Sequence, residues 1–163
     1  MSSLDDLQRL TPSQGALLYR LVELSYLTQT QVDDLINRLV SERFIKAAAF
    51  LDFAQQLDAE AVLNQPHIIS RCYYAMYHAV RAVVLHIRRA DFDDHERLPM
   101  VLSQILGTQY GEILGKWREV RNQVDYSPYA PADLDTLTQA ALDDAAALLM
   151  ACRNELRNRG MYR

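Results

Sequence analysis

A chain of 163 residues, half of them hydrophobic, is long enough to bury one core and close to the usual size of a single domain. A net charge of −4 with 23% charged residues points neither to a disordered chain nor to a surface that coats nucleic acid generally, so any RNA contact has to be local. The opening Met1-Ser2-Ser3-Leu4-Asp5-Asp6 lacks the basic start and apolar run of a signal peptide. Nowhere do about 18 uncharged apolar residues follow one another. A cytoplasmic protein without membrane contact is expected.

Only five Gly and five Pro punctuate the chain, and the stretches between them carry apolar residues at three- and four-residue spacing. The expectation is an all-α fold. A first helix starts at Pro12 behind a Thr11 cap, turns Leu17, Leu18, Leu21, Val22 and Leu24 inward, and ends near Leu27. Thr28 caps a second segment with Val32, Leu35, Ile36, Leu39 and Val40 on its apolar stripe and Asp33 and Asp34 in its early turns. Nothing breaks the chain before Leu57, so residues 29 to 58 read either as one long helix or as two joined near Ser41. A third helix runs from about Pro66 to about Arg89, with Ala75, Ala79 and Ala82 as a small-residue strip along which a neighbour can approach closely.

The loop Asp91-Phe92-Asp93-Asp94-His95 reads as solvated, since it lacks the ligand spacing and turn glycine of a calcium site. A short helix then spans about Glu96 to Leu106 and stops at Gly107, and a longer one spans about Tyr110 to Asp125. Pro128, in the loop from Tyr126 to Ala130, ends it. The last helix opens at Pro131 and continues to about Arg159, before Gly160. Cys72 and Cys152 lie in apolar periodic segments without metal-ligand partners at usable spacing and read as buried thiols. No metal site and no cofactor are expected, because Gly-rich phosphate loops, His-Glu-x-x-His and zinc-spaced cysteine pairs are all missing.

Two constellations carry chemistry. On the third helix Arg71, Tyr74, His78 and Arg81 share a face, which reads as a half-wet stripe over the core or as a ligand or subunit surface. On the penultimate helix Arg118, Arg121 and Asp125 share a face, with Trp117 one position off and Tyr126 at the end. An exposed Arg121–Asp125 pair is worth only a few tenths of a kcal/mol. The alternative is a pair of guanidinium groups that bind phosphate, oriented by Asp125 and Tyr126.

The segment Ser70-Arg71-Cys72-Tyr73-Tyr74-Ala75-Met76-Tyr77-His78, with His95 and Arg121-Asn122-Gln123-Val124-Asp125-Tyr126 following in order, resembles the HEPN family, in particular the branch often called UPF0332. The similarity covers about Phe44 to Glu155. It implies a HEPN-like bundle of four to five helices over residues 42–163, with residues 1–41 as an extra N-terminal helical hairpin. It further implies a homodimer with the motif arginine in a cleft between subunits, and a nucleotidyltransferase partner in a toxin–antitoxin pair.

Many members of that family are metal-independent RNases whose motif is Arg, a polar residue and, four to six residues after the Arg, His. Arg121 and Asn122 match its start, but the four histidines, His67, His78, His86 and His95, all precede Arg121. Cleavage without metal needs a proton acceptor near neutral pH, which histidine supplies and Asp125, with an ordinary pKa of about 3.9, does poorly. The expected function is therefore a partner protein that binds RNA or a nucleotide through Arg118, Arg121, Asn122, Asp125 and Tyr126. The alternatives are an RNase using Arg121 with Asp125, or with His78 or His95 brought in from elsewhere, and a structural adaptor. In a related branch a tyrosine just beyond the motif accepts a nucleotide, a role that would fall to Tyr126.

Overall fold

The computed structural model describes residues 7, 9–129 and 131–161; Met1 to Asp6 and Ala130, which figure in the expectations above, lie outside the described residues. Every regular element among the described residues is a helix, packed as an all-α bundle. None of these helices is long and apolar enough to cross a membrane.

Helix α1, Pro12–Glu23, begins where local chemistry dictates. Thr11 Oγ1 accepts from the Gln14 amide at 3.3 Å and Gln14 Oε1 accepts from the Thr11 amide at 2.9 Å, a reciprocal cap ahead of Pro12. The helix ends before Leu27, because Leu24 leaves the helix and Ser25 takes a left-handed conformation (φ 62°). Its inward face is Gly15 and Leu18, with Tyr19 and Val22 partly covered. Leu17 and Leu24, expected inward, are exposed: at 100° per residue they lie opposite Gly15.

Helix α2, Gln29–Gln56, is one continuous element and Ser41 does not interrupt it. Thr28 and Gln31 form a second reciprocal cap, at 3.2 and 2.8 Å. Val32, Leu35, Ile36, Leu39 and Val40 are all buried. The point between residues 41 and 42 thus falls inside this helix, and Leu10, Leu18 and Val32 belong to the same hydrophobic core as the rest of the bundle.

Helix α3, Gln65–Arg88, is the centre of the molecule, packed by α2, by α5, Thr108–Tyr126, and by α6, Leu134–Asn158. Ala75, Ala79 and Ala82 are wholly buried there. The short α4, Leu98–Leu106, folds back on α5 through Gly107 (φ 105°). Gly111 permits that contact, since a Cβ at this position would fall 2.5 Å from the Pro99 carbonyl oxygen. α6 starts at Leu134, later than Pro131, because Asp133 is left-handed (φ 58°). Cys72 and Cys152 are free and buried, and burial pushes both thiols up, that of Cys72 to about 12.

The acidic loop is not uniformly solvated, contrary to the sequence expectation. Asp91 is buried and accepts from Arg43 Nη2 at 2.9 Å, from Arg81 Nη2 at 2.5 Å and Nε at 3.2 Å, and from the Phe92 amide at 2.9 Å. Its own amide donates to the Leu10 carbonyl at 2.6 Å. Asp94 Oδ1 accepts from the Glu96 and Arg97 amides at 2.9 and 3.0 Å just ahead of α4, which delays its start to Leu98. The segment carrying His95 is therefore fastened at both ends.

Candidate functional site

α5 places Arg121 against the tyrosines of α3. Its Cζ lies 5.0 Å from the Tyr74 ring centroid, 5.5 Å from Tyr73 and 5.3 Å from Tyr126, so the cation sits among three aromatic rings. Nη2 donates to Tyr74 Oη, and Nη1 donates to Asn122 Oδ1 at 2.9 Å. Nε is 3.0 Å from Asp125 Oδ2, but its N–H is not directed at that oxygen, so the contact is an ion pair without a hydrogen bond. Asp125 also accepts from Ser70 Oγ at 3.3 Å. Arg118 pairs with the adjacent Glu119 at 2.7 Å.

A histidine from outside α5 joins this group. Tyr73 Oη and His95 Nδ1 are 2.6 Å apart, and the Tyr77 ring stacks on the imidazole at 3.9 Å and 5°. Tyr77 is held in turn by its hydroxyl, which donates to the Asp93 carbonyl at 3.1 Å and accepts from Arg81 Nη1 at 3.2 Å. Burial lowers the His95 pKa, and Arg121, Arg81 and Arg118 lower it further against the opposing pull of Asp93. Burial raises that of Tyr73 despite Arg121. The pair is therefore a neutral imidazole beside a protonated phenol at neutral pH. With Nδ1–H donating to Tyr73, Nε2 keeps its lone pair as a base; with Tyr73 donating, Nε2 carries the proton.

Of the residues nominated from sequence, Tyr74, His95, Arg118, Arg121, Asn122, Asp125 and Tyr126 gather here. Of the shared face of α3, Arg71, Tyr74 and His78 meet around Phe50, on which Tyr74 stacks at 5.7 Å, and Arg81 leaves it. Arg71 lies 5.7 Å over both Phe50 and Phe53, and Arg81 turns to Asp91. His78 stacks on Phe50 at 5.5 Å and 2° with its Nδ1 buried and unpartnered. Tyr73, Tyr77 and Ser70 complete the site without having been nominated. All three stand in the motif quoted above, and Tyr73 and Tyr77 are buried. Among the described residues no group of three or more His, Cys, Asp or Glu is placed to hold a metal ion.

The histidines give a pH dependence with a definite sign. Burial, then Lys46, Arg81 and Arg43, push His78 down to about 4 against Asp91. The unfolded chain, with histidine near 6.5, binds protons that the folded state rejects, so stability is complete above that value and is lost as pH falls from about 6.5 to about 4. His86 and His95 are lowered too and act in the same direction. The urea midpoint should therefore fall between pH 7.5 and 5, and His78→Phe should reduce that fall; an unchanged pH slope in the variant would assign it to other groups.

No family model matches this chain, and no curated protein matches it.

Proposed function

We propose that this chain is a HEPN-like protein that binds the phosphate and base of RNA or a nucleotide at the Arg121 site, as the dimeric partner of a nucleotidyltransferase in a toxin–antitoxin-like pair. The setting of Arg121 carries the reading. The guanidinium lies among Tyr73, Tyr74 and Tyr126, the last 73% exposed, and Tyr129 beyond it is 81% exposed. Guanidinium groups pair with phosphate oxygens, and each base stacked on an exposed aromatic ring contributes about 1–3 kcal/mol. In the free protein Asp125 holds the anion position beside Nε, and an incoming phosphate takes that place. The exposed Tyr126 ring is also accessible to a partner transferase as a nucleotide acceptor.

Fluorescence anisotropy with a labelled single-stranded RNA at low salt tests the proposal. Arg121→Ala should weaken binding by about 10- to 150-fold, from the loss of charged hydrogen bonds worth roughly 1.5–3 kcal/mol. Tyr126→Ala should weaken it by about 5- to 150-fold, from the loss of a stacked base. Wild-type protein with no affinity for RNA or nucleotide under these conditions would remove the reading.

A second reading is favoured by one observation, the arrival of His95 beside Tyr73. A neutral imidazole can take the 2′-hydroxyl proton while the 2′ oxygen attacks phosphorus and the P–O5′ bond breaks, the departing 5′ oxygen taking a proton from water, which leaves a 2′,3′-cyclic phosphate. Arg121 would stabilise the charge that develops on phosphorus. RNA cleaved in the presence of EDTA, with activity lost in both Arg121→Ala and His95→Ala, would make the protein an RNase; RNA that stays intact leaves it a binder.

A further inference from the structure

α2 turns a ridge of apolar side chains away from the bundle. Ile45 (68% exposed), Ala49 and Phe53 (49% exposed) follow at four-residue steps on one face. A groove of about 320 Å³ runs along one flank, lined by Lys46, Phe50 and Arg71, and Arg71 lies over both phenylalanine rings. A second groove, of about 350 Å³, runs along the other flank, lined by Phe44, Ala48, Arg153 and Arg157, with Arg153 5.5 Å over Phe44. Lys46, Arg71, Arg153 and Arg157 make no ion pair among the described residues. Two carboxylates share this face: Asp52, and Glu42, which pairs with Arg38 at 3.1 Å.

We propose that this ridge docks an acidic amphipathic helix of a partner protein, whose apolar residues straddle Ile45, Ala49 and Phe53 and whose carboxylates meet the four cations. Helices bound in grooves present anchors at i, i+3 or i+4 and i+7, which fit a ridge of this period with a groove on each side. Charge complementarity selects an acidic occupant. A second copy of this chain in a two-fold arrangement would bring eight such cations together with only Glu42 and Asp52 of each copy to balance them. A nucleic acid backbone would satisfy the cations but leave Ile45 and Phe53 without apolar cover. The proposal does not rest on the Arg121 site, although Phe50 in the groove stacks on Tyr74 at 5.7 Å.

Selection of the full chain against a display library of random 16-residue peptides tests it. Enriched peptides should carry Asp or Glu around apolar residues at helical spacing. The resynthesised peptide should bind at least about tenfold more weakly to Arg71→Glu, Arg153→Glu and Ile45→Asp, and equally well to Arg121→Ala. These are surface changes, and circular dichroism checks that each variant keeps its helices. No enrichment, enrichment of basic or neutral sequences, or affinity unchanged in the Arg71 and Arg153 variants would overturn the proposal. So would a wild-type dimer that Ile45→Asp converts to monomer, since the occupant would then be a second copy.

Discussion

Replacing Asp91 with alanine is expected to cost about 3–5 kcal/mol of folding stability, the usual consequence of removing one partner from a buried ion cluster. Asp91 is the shared acceptor for Arg43 and Arg81, whose side chains are themselves largely buried, and Arg9 reaches it from the N-terminal segment at 3.8 Å. Without the carboxylate, two guanidinium groups stay out of water with no counter-charge. Burial and the neighbouring Arg81 already lower the Arg43 pKa against the pull of Asp91, so the position is unfavourable for a cation even in the wild type. Urea unfolding followed by circular dichroism should show the midpoint falling steeply, and replacing Arg81 with methionine in the Asp91→Ala background should restore part of it. A loss below about 1 kcal/mol would mean that water reaches the cluster and screens it. The local effect should extend to the site, because Arg81 also bonds the Tyr77 hydroxyl and Tyr77 stacks on His95.

What can be read from the sequence depends on how far apart the interacting residues lie. Both threonine caps are legible because Thr11 and Thr28 each find their glutamine three residues on. The continuity of α2 is nearly so, since neither Gly nor Pro interrupts it. The orientation of α1 is not: it carries leucines around much of its circumference, and only packing against α2 and the loop after α3 selects the Gly15–Leu18 face. Asp91 looks like one more carboxylate in an acidic loop, because Arg43, which helps to bury it, is 48 residues away.

The same distance effect divides the candidate site. Arg71 and Arg81 share a side of α3 on a helical wheel, but ten residues along a helix separate them by about 15 Å, enough to give them different neighbours. Arg71 meets the phenylalanines of α2 and Arg81 meets the loop after α3. Arg118, Arg121, Asn122, Asp125 and Tyr126 stay together because one helix end carries them all. His95 joins them through the fold, by the contacts of its loop with Tyr73 and Tyr77, and a motif read in chain order from Arg121 onward does not reach it.

Truncating Trp117 to alanine should be comparably damaging, at about 3–5 kcal/mol, and should act on the site as well as on stability. Trp117 is fully buried, donates from Nε1 to Asp144 on α6 at 2.8 Å, and lies under Lys116, whose Nζ is 4.4 Å from the ring centroid. It stands four residues before Arg121 on α5, so the residue that anchors the helix and the residue that faces the tyrosines are one turn apart. The alanine variant leaves a ring-sized void between α5 and its neighbours and removes a donor from Asp144, which keeps Lys116 at 3.5 Å. For a chain of this length each kcal/mol lowers Tm by about 2–4 °C, so a fall of roughly 6–20 °C is expected in a thermal melt. Trp117→Phe keeps most of the packing and loses mainly the hydrogen bond, at about 1 kcal/mol. If the two variants melt together, the indole N–H rather than the packing holds α5. RNA affinity measured well below both melting points separates stability from placement: an alanine variant that is folded yet binds more weakly than Trp117→Phe has let α5 shift and carried Arg121 away from Tyr73 and Tyr74.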